Sequence, residues 1–195
     1  MTMFLGYDWP RLHAAVNDFP PALLPLSVLL DLLGIAFKRE SLKAAAFWTL
    51  VFGVLGTVAA IFAGLMAEDV VQHSEHAHVI MDTHKTLAFI VLAIFGLLAI
   101  WRIVRRGVWN EKEQPIALTA GIIGIAILLY TASLGGKLVF DHGLGIPTAR
   151  LGAIATERAG HHHDEDEGAA AAPALSPAAP DTAKAGAAPA DTAKH

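Results

Sequence analysis

The chain has no cysteine and little charge: Asp, Glu, Lys and Arg together make up 16% of its 195 residues. Without thiols there is no disulfide, no thiolate zinc or iron–sulfur site, and no haem attached through a Cys-x-x-Cys-His sequence. So little charge cannot cover the surface of a soluble domain when 54% of the residues are apolar. The opening residues, Met1 to Pro10, lack the basic region and short apolar core of a cleavable signal peptide, so the first apolar run is expected to act as an uncleaved insertion signal. No nucleophile–base constellation, phosphate loop or basic groove is present. That argues against a stand-alone enzyme and against nucleic acid as a partner.

What is present is a set of four apolar runs, expected to span the bilayer near residues 19–37, 44–67, 86–104 and 115–136. A hydrocarbon core of roughly 30 Å needs about 20 helical residues, so the second and fourth runs cross comfortably and the others rely on flanking anchors such as Trp101. Gly53, Gly56 and Gly64 in the second run, and Gly121 and Gly124 in the fourth, suit close helix packing in lipid. The fold class is therefore all-α: an integral membrane four-helix bundle over residues 19–146. Ahead of it, residues 1–18 form an external segment in which Trp9, Leu12, Val16 and Phe19 recur at helical spacing, as an interfacial helix would. Residues 160–195, rich in Ala and Pro, have almost nothing to bury and read as a disordered tail.

Lys38, Arg39 and Lys43 lie just after the first run, and Arg102, Arg105, Arg106 and Lys112 at and after the end of the third. The opposite side offers Arg11 and Lys85 among more numerous acids. The positive-inside rule then puts both basic loops in the cytoplasm and both termini outside, in a multi-pass protein of a bacterial inner membrane. Asp31 is the one acidic residue within a run. Burying a carboxylate in hydrocarbon is costly, so it is expected to face the bundle interior and serve as a structural hydrogen-bonding group more readily than as a proton relay.

Nine of the ten histidines precede the terminal Ala-rich tract, and the topology places all nine on one face. Imidazole suits iron, copper and zinc. One use is axial ligation of a b-type haem by histidines from different helices. His84, opening span three, and His142, after span four, form the leading pair, with His13 as substitute and Asp18 beside the site. A second use is capture of Zn²⁺ or Cu²⁺ by His73-x-x-His76-x-His78 in the loop between spans two and three, with Glu75 adjacent. The His161–His163 run, before a stretch of acids, is a weaker metal site because ordering a loose segment costs entropy.

Two segments carry a resemblance. His13-Ala-Ala-Val-Asn-Asp18-Phe19-Pro20-Pro-Ala22 is similar to the opening of the bacterial membrane family known as domain of unknown function 2231. Gly135-Gly136-Lys-Leu138-Val139-Phe140-Asp-His142-Gly143-Leu-Gly145 resembles its ending, and His84 falls where the family carries a histidine opening helix three. The chain departs from the pattern at Asp18, where the family often has a second histidine. The resemblance implies a small four-helix membrane domain and no settled activity.

The function these residues suggest is that of a haem- or metal-binding membrane subunit at the outer face, working in electron transfer with a membrane or periplasmic protein partner. The rivals are an accessory subunit without a cofactor, packed against a larger membrane complex, and a periplasmic handler of divalent metal. Topology is the expectation most open to test. Reporter fusions after Asp69 and after the tail should read outside and fusions near Arg105 inside; a three-span pattern would scatter the histidines over both faces, and a reversed one would put them all inside.

Overall fold

A computed structural model describes residues 8–72 and 74–160 of the chain. These form six helices: α1 (Trp9–Val16), α2 (Phe19–Ala36), α3 (Glu40–Glu68), α4 (Glu75–Val104), α5 (Glu113–Phe140) and α6 (Thr148–Gly160). The expected tail lies outside the described residues, apart from the end of α6. The chain divides into two compact units, one up to Ala153 and one from Ile154 onward. The first contains all the membrane-spanning helices.

Four segments are long and apolar enough to cross a membrane: Trp9–Ala36, Glu40–Glu68, Glu75–Val104 and Glu113–Phe140. Long apolar stretches must satisfy their backbone polar groups internally, which in lipid a helix does by itself. Within the first, α1 and α2 are separate helices because Pro20 and Pro21 supply no N–H and crowd the preceding turn; in the first turn of α2 the same prolines are tolerated. Of the segment expected ahead of the bundle, residues 9–16 form α1. α1 packs on α3, where Trp9 meets Phe62 edge-on at 5.8 Å.

Packing runs small inside and large outside. α3 buries Ala46, Leu50, Gly53, Thr57, Ala60, Ala63 and Ala67, while Trp48, Phe52, Leu55 and Phe62 of the same helix are exposed. Small inward residues bring helix backbones close, which is how association is gained where lipid removes the usual hydrophobic drive. The glycines serve this end: a Cβ on Gly53 would lie 2.6 Å from Leu24, and one on Gly124 2.7 Å from Phe95.

Those two contacts are the same contact made twice. The buried residues of α5 are Ala117, Gly121, Gly124, Leu128, Thr131, Leu134 and Leu138, each 71 positions after a buried residue of α3. Pro20, Leu24 and Ser27 of α2 are likewise matched, 71 positions on, by Val91, Phe95 and Leu98 of α4. The packing partners agree with this register: α2 lies on α3 as α4 lies on α5, and α3 meets α4 as α5 meets α2. The bundle is thus two helical hairpins related by an approximate two-fold axis along the helices, a parallel repeat in the sense known from membrane transporters. The exits are alike in kind, though 68 and not 71 positions apart. α2 and α4 both close with an αL residue, Lys38 and Arg106, after which Arg39 N–H donates to Gly34 O at 3.0 Å and Gly107 N–H to Arg102 O at 2.8 Å, the bonding of a Schellman motif.

Residues at equivalent positions touch only on such an axis. Asp31 and Arg102 are 71 positions apart and form a bidentate ion pair, with Arg102 Nη2 to Asp31 Oδ1 at 2.7 Å and Nη1 to Oδ2. Nη2 also donates to Lys43 O at 2.9 Å and Nε to Gly107 O at 3.1 Å. Phe47 and Trp109 present ring faces to the guanidinium, at 5.9 and 5.4 Å. Arg102, expected in the basic loop, is 1% exposed and belongs to the bundle interior; the carboxylate of Asp31 attracts it there, because an unpaired charge in that position would be far costlier. Asp31 faces the bundle interior and is paired there.

Removing one partner leaves a buried charge unpaired, at a cost of about 3–5 kcal/mol. Asp31→Ala and Arg102→Ala should each destabilise the bundle by that order in a detergent unfolding assay. Because the two positions are near-equivalent, the exchange Asp31→Arg with Arg102→Asp should recover stability beyond either half of the exchange alone. A double variant no more stable than the singles would refute the two-fold reading of this pair.

Candidate functional site

Toward the other end of the bundle the same register brings up histidine. His13, on α1, bonds through Nδ1 to Ala60 O of α3 at 2.9 Å. His84, on α4, bonds through Nδ1 to Thr131 O of α5 at 2.8 Å. Both pairs span 47 positions, and the two copies are offset by 71, as the buried faces are. One turn beyond each carbonyl stands a glycine. A Cβ on Gly64 would lie 3.0 Å from His13 Cε1, and one on Gly135 3.1 Å from His84 Cε1. Each imidazole therefore lies against the helix that supplies its carbonyl, at a place where any side chain would press on the ring.

The bond fixes the tautomer. A carbonyl oxygen only accepts, so Nδ1 must carry the proton, and in the neutral ring the lone pair then resides on Nε2. Neither Nε2 has a hydrogen-bond partner among the described residues. Both rings are half-buried and within electrostatic reach of each other. This is a pair of oriented imidazoles, one from each half of the repeat, each with its outer nitrogen free.

The chain matches, over residues 10–148, the model of the family described as predicted membrane protein, domain of unknown function 2231. The chain belongs to this family. No curated protein and no solved structure matches it. The segments that carried the resemblance now have physical reasons in this member of the family. His13 and His84 are the paired imidazoles, and Gly135 is the residue that lets the second of them sit against α5.

The remaining predicted residues lie elsewhere. His142 stands just past the end of α5 and meets the ring of His76, at a centroid separation of 5.5 Å. Asp18 is exposed at the α1–α2 junction and makes no side-chain hydrogen bond or ion pair among the described residues. His76 and His78 are not in a loop: α4 begins at Glu75, capped by Ser74, whose hydroxyl accepts from Ala77 N–H at 3.3 Å. His78 pairs with Asp82, Nε2 to Oδ2 at 3.3 Å, and so is turned to a different partner from that of His76. His73 lies outside the described residues. Among the described residues no group of three or more His, Asp or Glu gathers at one point.

Sequence reasoning ranks His13 behind His142 and misses its equivalence to His84. The signal is there as spacing: His13 to Gly64 and His84 to Gly135 are equal intervals, as are Leu24 to Gly53 and Phe95 to Gly124. If the glycines hold the rings in place, Gly64→Ala and Gly135→Ala should each displace an imidazole while the bundle stays folded. Histidine ring resonances, assigned by NMR in detergent, should move for His13 in the first variant and for His84 in the second; unmoved resonances would show the glycines to be passive spacers.

Proposed function

We propose that the chain is a haem-binding membrane subunit of electron transfer, in which His13 and His84 would hold one b-type haem near the histidine-bearing end of the bundle. The observation that carries this reading is the duplicated unit of histidine, carbonyl and glycine: two imidazoles from different helices, each held through Nδ1, each with Nε2 free. Donation of the second ring N–H to a backbone carbonyl is the usual way a ligating histidine is oriented and made more basic. Ligand histidines projecting inward from separate helices are how bundles hold cofactors. When bound, the haem iron supplies one-electron chemistry at a potential tuned by its ligands and their surroundings.

The protein's own residues do the rest. Ala60 O and Thr131 O hold the rings in one tautomer and one orientation. Gly64 and Gly135 give each ring room against its neighbouring helix. Ala63, Ala67, Leu134 and Leu138, buried one to two turns beyond the carbonyls, keep water from the flanks and raise the electrostatic cost of adding charge there. The basic loops adjoin the Asp31–Arg102 end, so the positive-inside rule faces the histidine end outward, toward a membrane or periplasmic redox partner. The other end of each span carries no histidine and the chain no cysteine, which limits the chain to one such centre.

The test is a visible spectrum of the membrane-purified protein and its variants. A Soret band with the sharp α/β bands of low-spin bis-imidazole iron is expected at one haem per chain. His13→Ala or His84→Ala should abolish that signature, and His142→Ala should leave it. Two haems per chain, or a spectrum indifferent to both His13 and His84, overturns the assignment. If the protein carries no haem even when expressed with excess precursor, the two histidines act as ties between helices. That outcome is the accessory-subunit reading, since the Nδ1–carbonyl bonds already satisfy a polar group on each ring.

A further inference from the structure

Beyond the His13–His84 pair, two more imidazoles meet. His76 lies in the first turn of α4 and His142 just past the end of α5, with ring centroids 5.5 Å apart and ring planes inclined at 53°. Neither ring has a hydrogen bond or ion pair among the described residues. Both are anchored by what lies beneath them. Ala77, beside His76, is fully buried, and Ala77, Met81 and Leu138 form a packed cluster with Ile80 and Leu144 around it. The chain leaves α5 through Gly143, at φ 64°, and turns so that Leu144 N–H donates to Leu138 O at 2.9 Å. His142 is thereby held over the same cluster that supports His76.

We propose that His76 and His142 bind one divalent transition ion of the Zn²⁺ or Cu²⁺ class. The separation fits. With metal–nitrogen bonds of about 2.0 Å, each ring centroid lies about 3.2 Å from the ion, so two imidazoles stand about 5.2 Å apart on a tetrahedral ion and about 6.4 Å apart on a linear one. The observed 5.5 Å falls within that interval. Neutral imidazole nitrogen is a good donor to both ions. Since no third His, Asp or Glu gathers there among the described residues, water completes the coordination shell and the ion exchanges readily. The pair differs from the local His76-x-His78 reading, because His78 is engaged by Asp82. His76 and His84 are eight positions apart on α4, about 12 Å along the helix, so the ion and the His13–His84 site are distinct, and this inference does not rest on the haem reading.

The test uses the full chain in detergent, stripped of metal and titrated with Cu²⁺ and, by competition, with Zn²⁺. Binding of one ion at this site is expected, with nitrogen hyperfine coupling from two imidazoles in the Cu²⁺ paramagnetic resonance spectrum. His76→Ala and His142→Ala should each weaken it by about tenfold or more, while His78→Ala leaves it unchanged. Circular dichroism and the spectrum of any bound haem should be the same in all three, which separates loss of a ligand from loss of fold. A parallel variant with alanine at His161, His162 and His163 removes the competing run in the tail. Binding that disappears in that variant yet survives both His76→Ala and His142→Ala would overturn the proposal, as would the absence of any nitrogen-coupled copper.

Discussion

The ion pair of Asp31 and Arg102 is the constraint around which the bundle is arranged. It sits where the two halves of the repeat face each other, so its formation fixes how one hairpin lies on the other. Its charges are withdrawn from water, and their attraction offsets desolvation because several contacts act together: two carboxylate oxygens, the carbonyls of Lys43 and Gly107, and two aromatic faces. Such a pair adds little net stability over well-packed apolar residues. It discriminates strongly against misregister, because a one-turn slip would leave both charges unpaired. The small inward residues then permit the helices to approach along the rest of their length, with no apolar driving force to correct an error in alignment.

With register set at one end, the positions of the histidines at the other are determined. From Arg102 back to His84 along α4, and from Asp31 back to His13 along α2 and α1, the intervals are equal. The carbonyls of Ala60 and Thr131 are likewise equivalent, so whatever places one imidazole places the other. The polar groups inside the bundle thus fall into two sets along one axis. One set is nearly closed, with four of the five guanidinium N–H groups of Arg102 bonded. The other is half-spent, each ring anchored through one nitrogen and, among the described residues, without a partner at the other.

The four spans, the helical class and the family are legible in the sequence because they rest on long-range averages of hydropathy and on one specific C-terminal motif. Asp31 is legible as an inward-facing group because charge in hydrocarbon has few alternatives. Its partner is not. Arg102 comes directly after Trp101 at the edge of an apolar run, and on composition alone it is indistinguishable from Arg105 and Arg106; only helix α4 continuing to Val104 takes it inside. Sequence reasoning puts His76 and His78 in a loop for a related reason. Polar residues around His76 and His78 resemble a loop, but Ser74 caps a helix there and the first turns of α4 extend beyond the apolar run. Pairing His84 with His142 reflects the motifs of the family, whereas the relation of His84 to His13 is one of repeat, and the repeat survives in packing size and spacing more than in residue identity.

That loss of identity is itself informative about the two sets of polar residues. Where equivalent positions meet on a two-fold axis, identical residues face each other. Two carboxylates or two guanidiniums there would repel in a medium that screens them poorly, so an ion pair on the axis requires the two halves to differ. A single chain holding both halves can make that substitution; two identical subunits cannot. Neutral imidazoles are under no such pressure. They can occupy equivalent positions unchanged, and two equivalent imidazole nitrogens suit one shared acceptor of electron pairs better than unlike residues would. The end of the bundle that had to be made asymmetric became its fastening. The end that kept its symmetry kept matched donors, and it is there that a shared ligand is chemically reasonable.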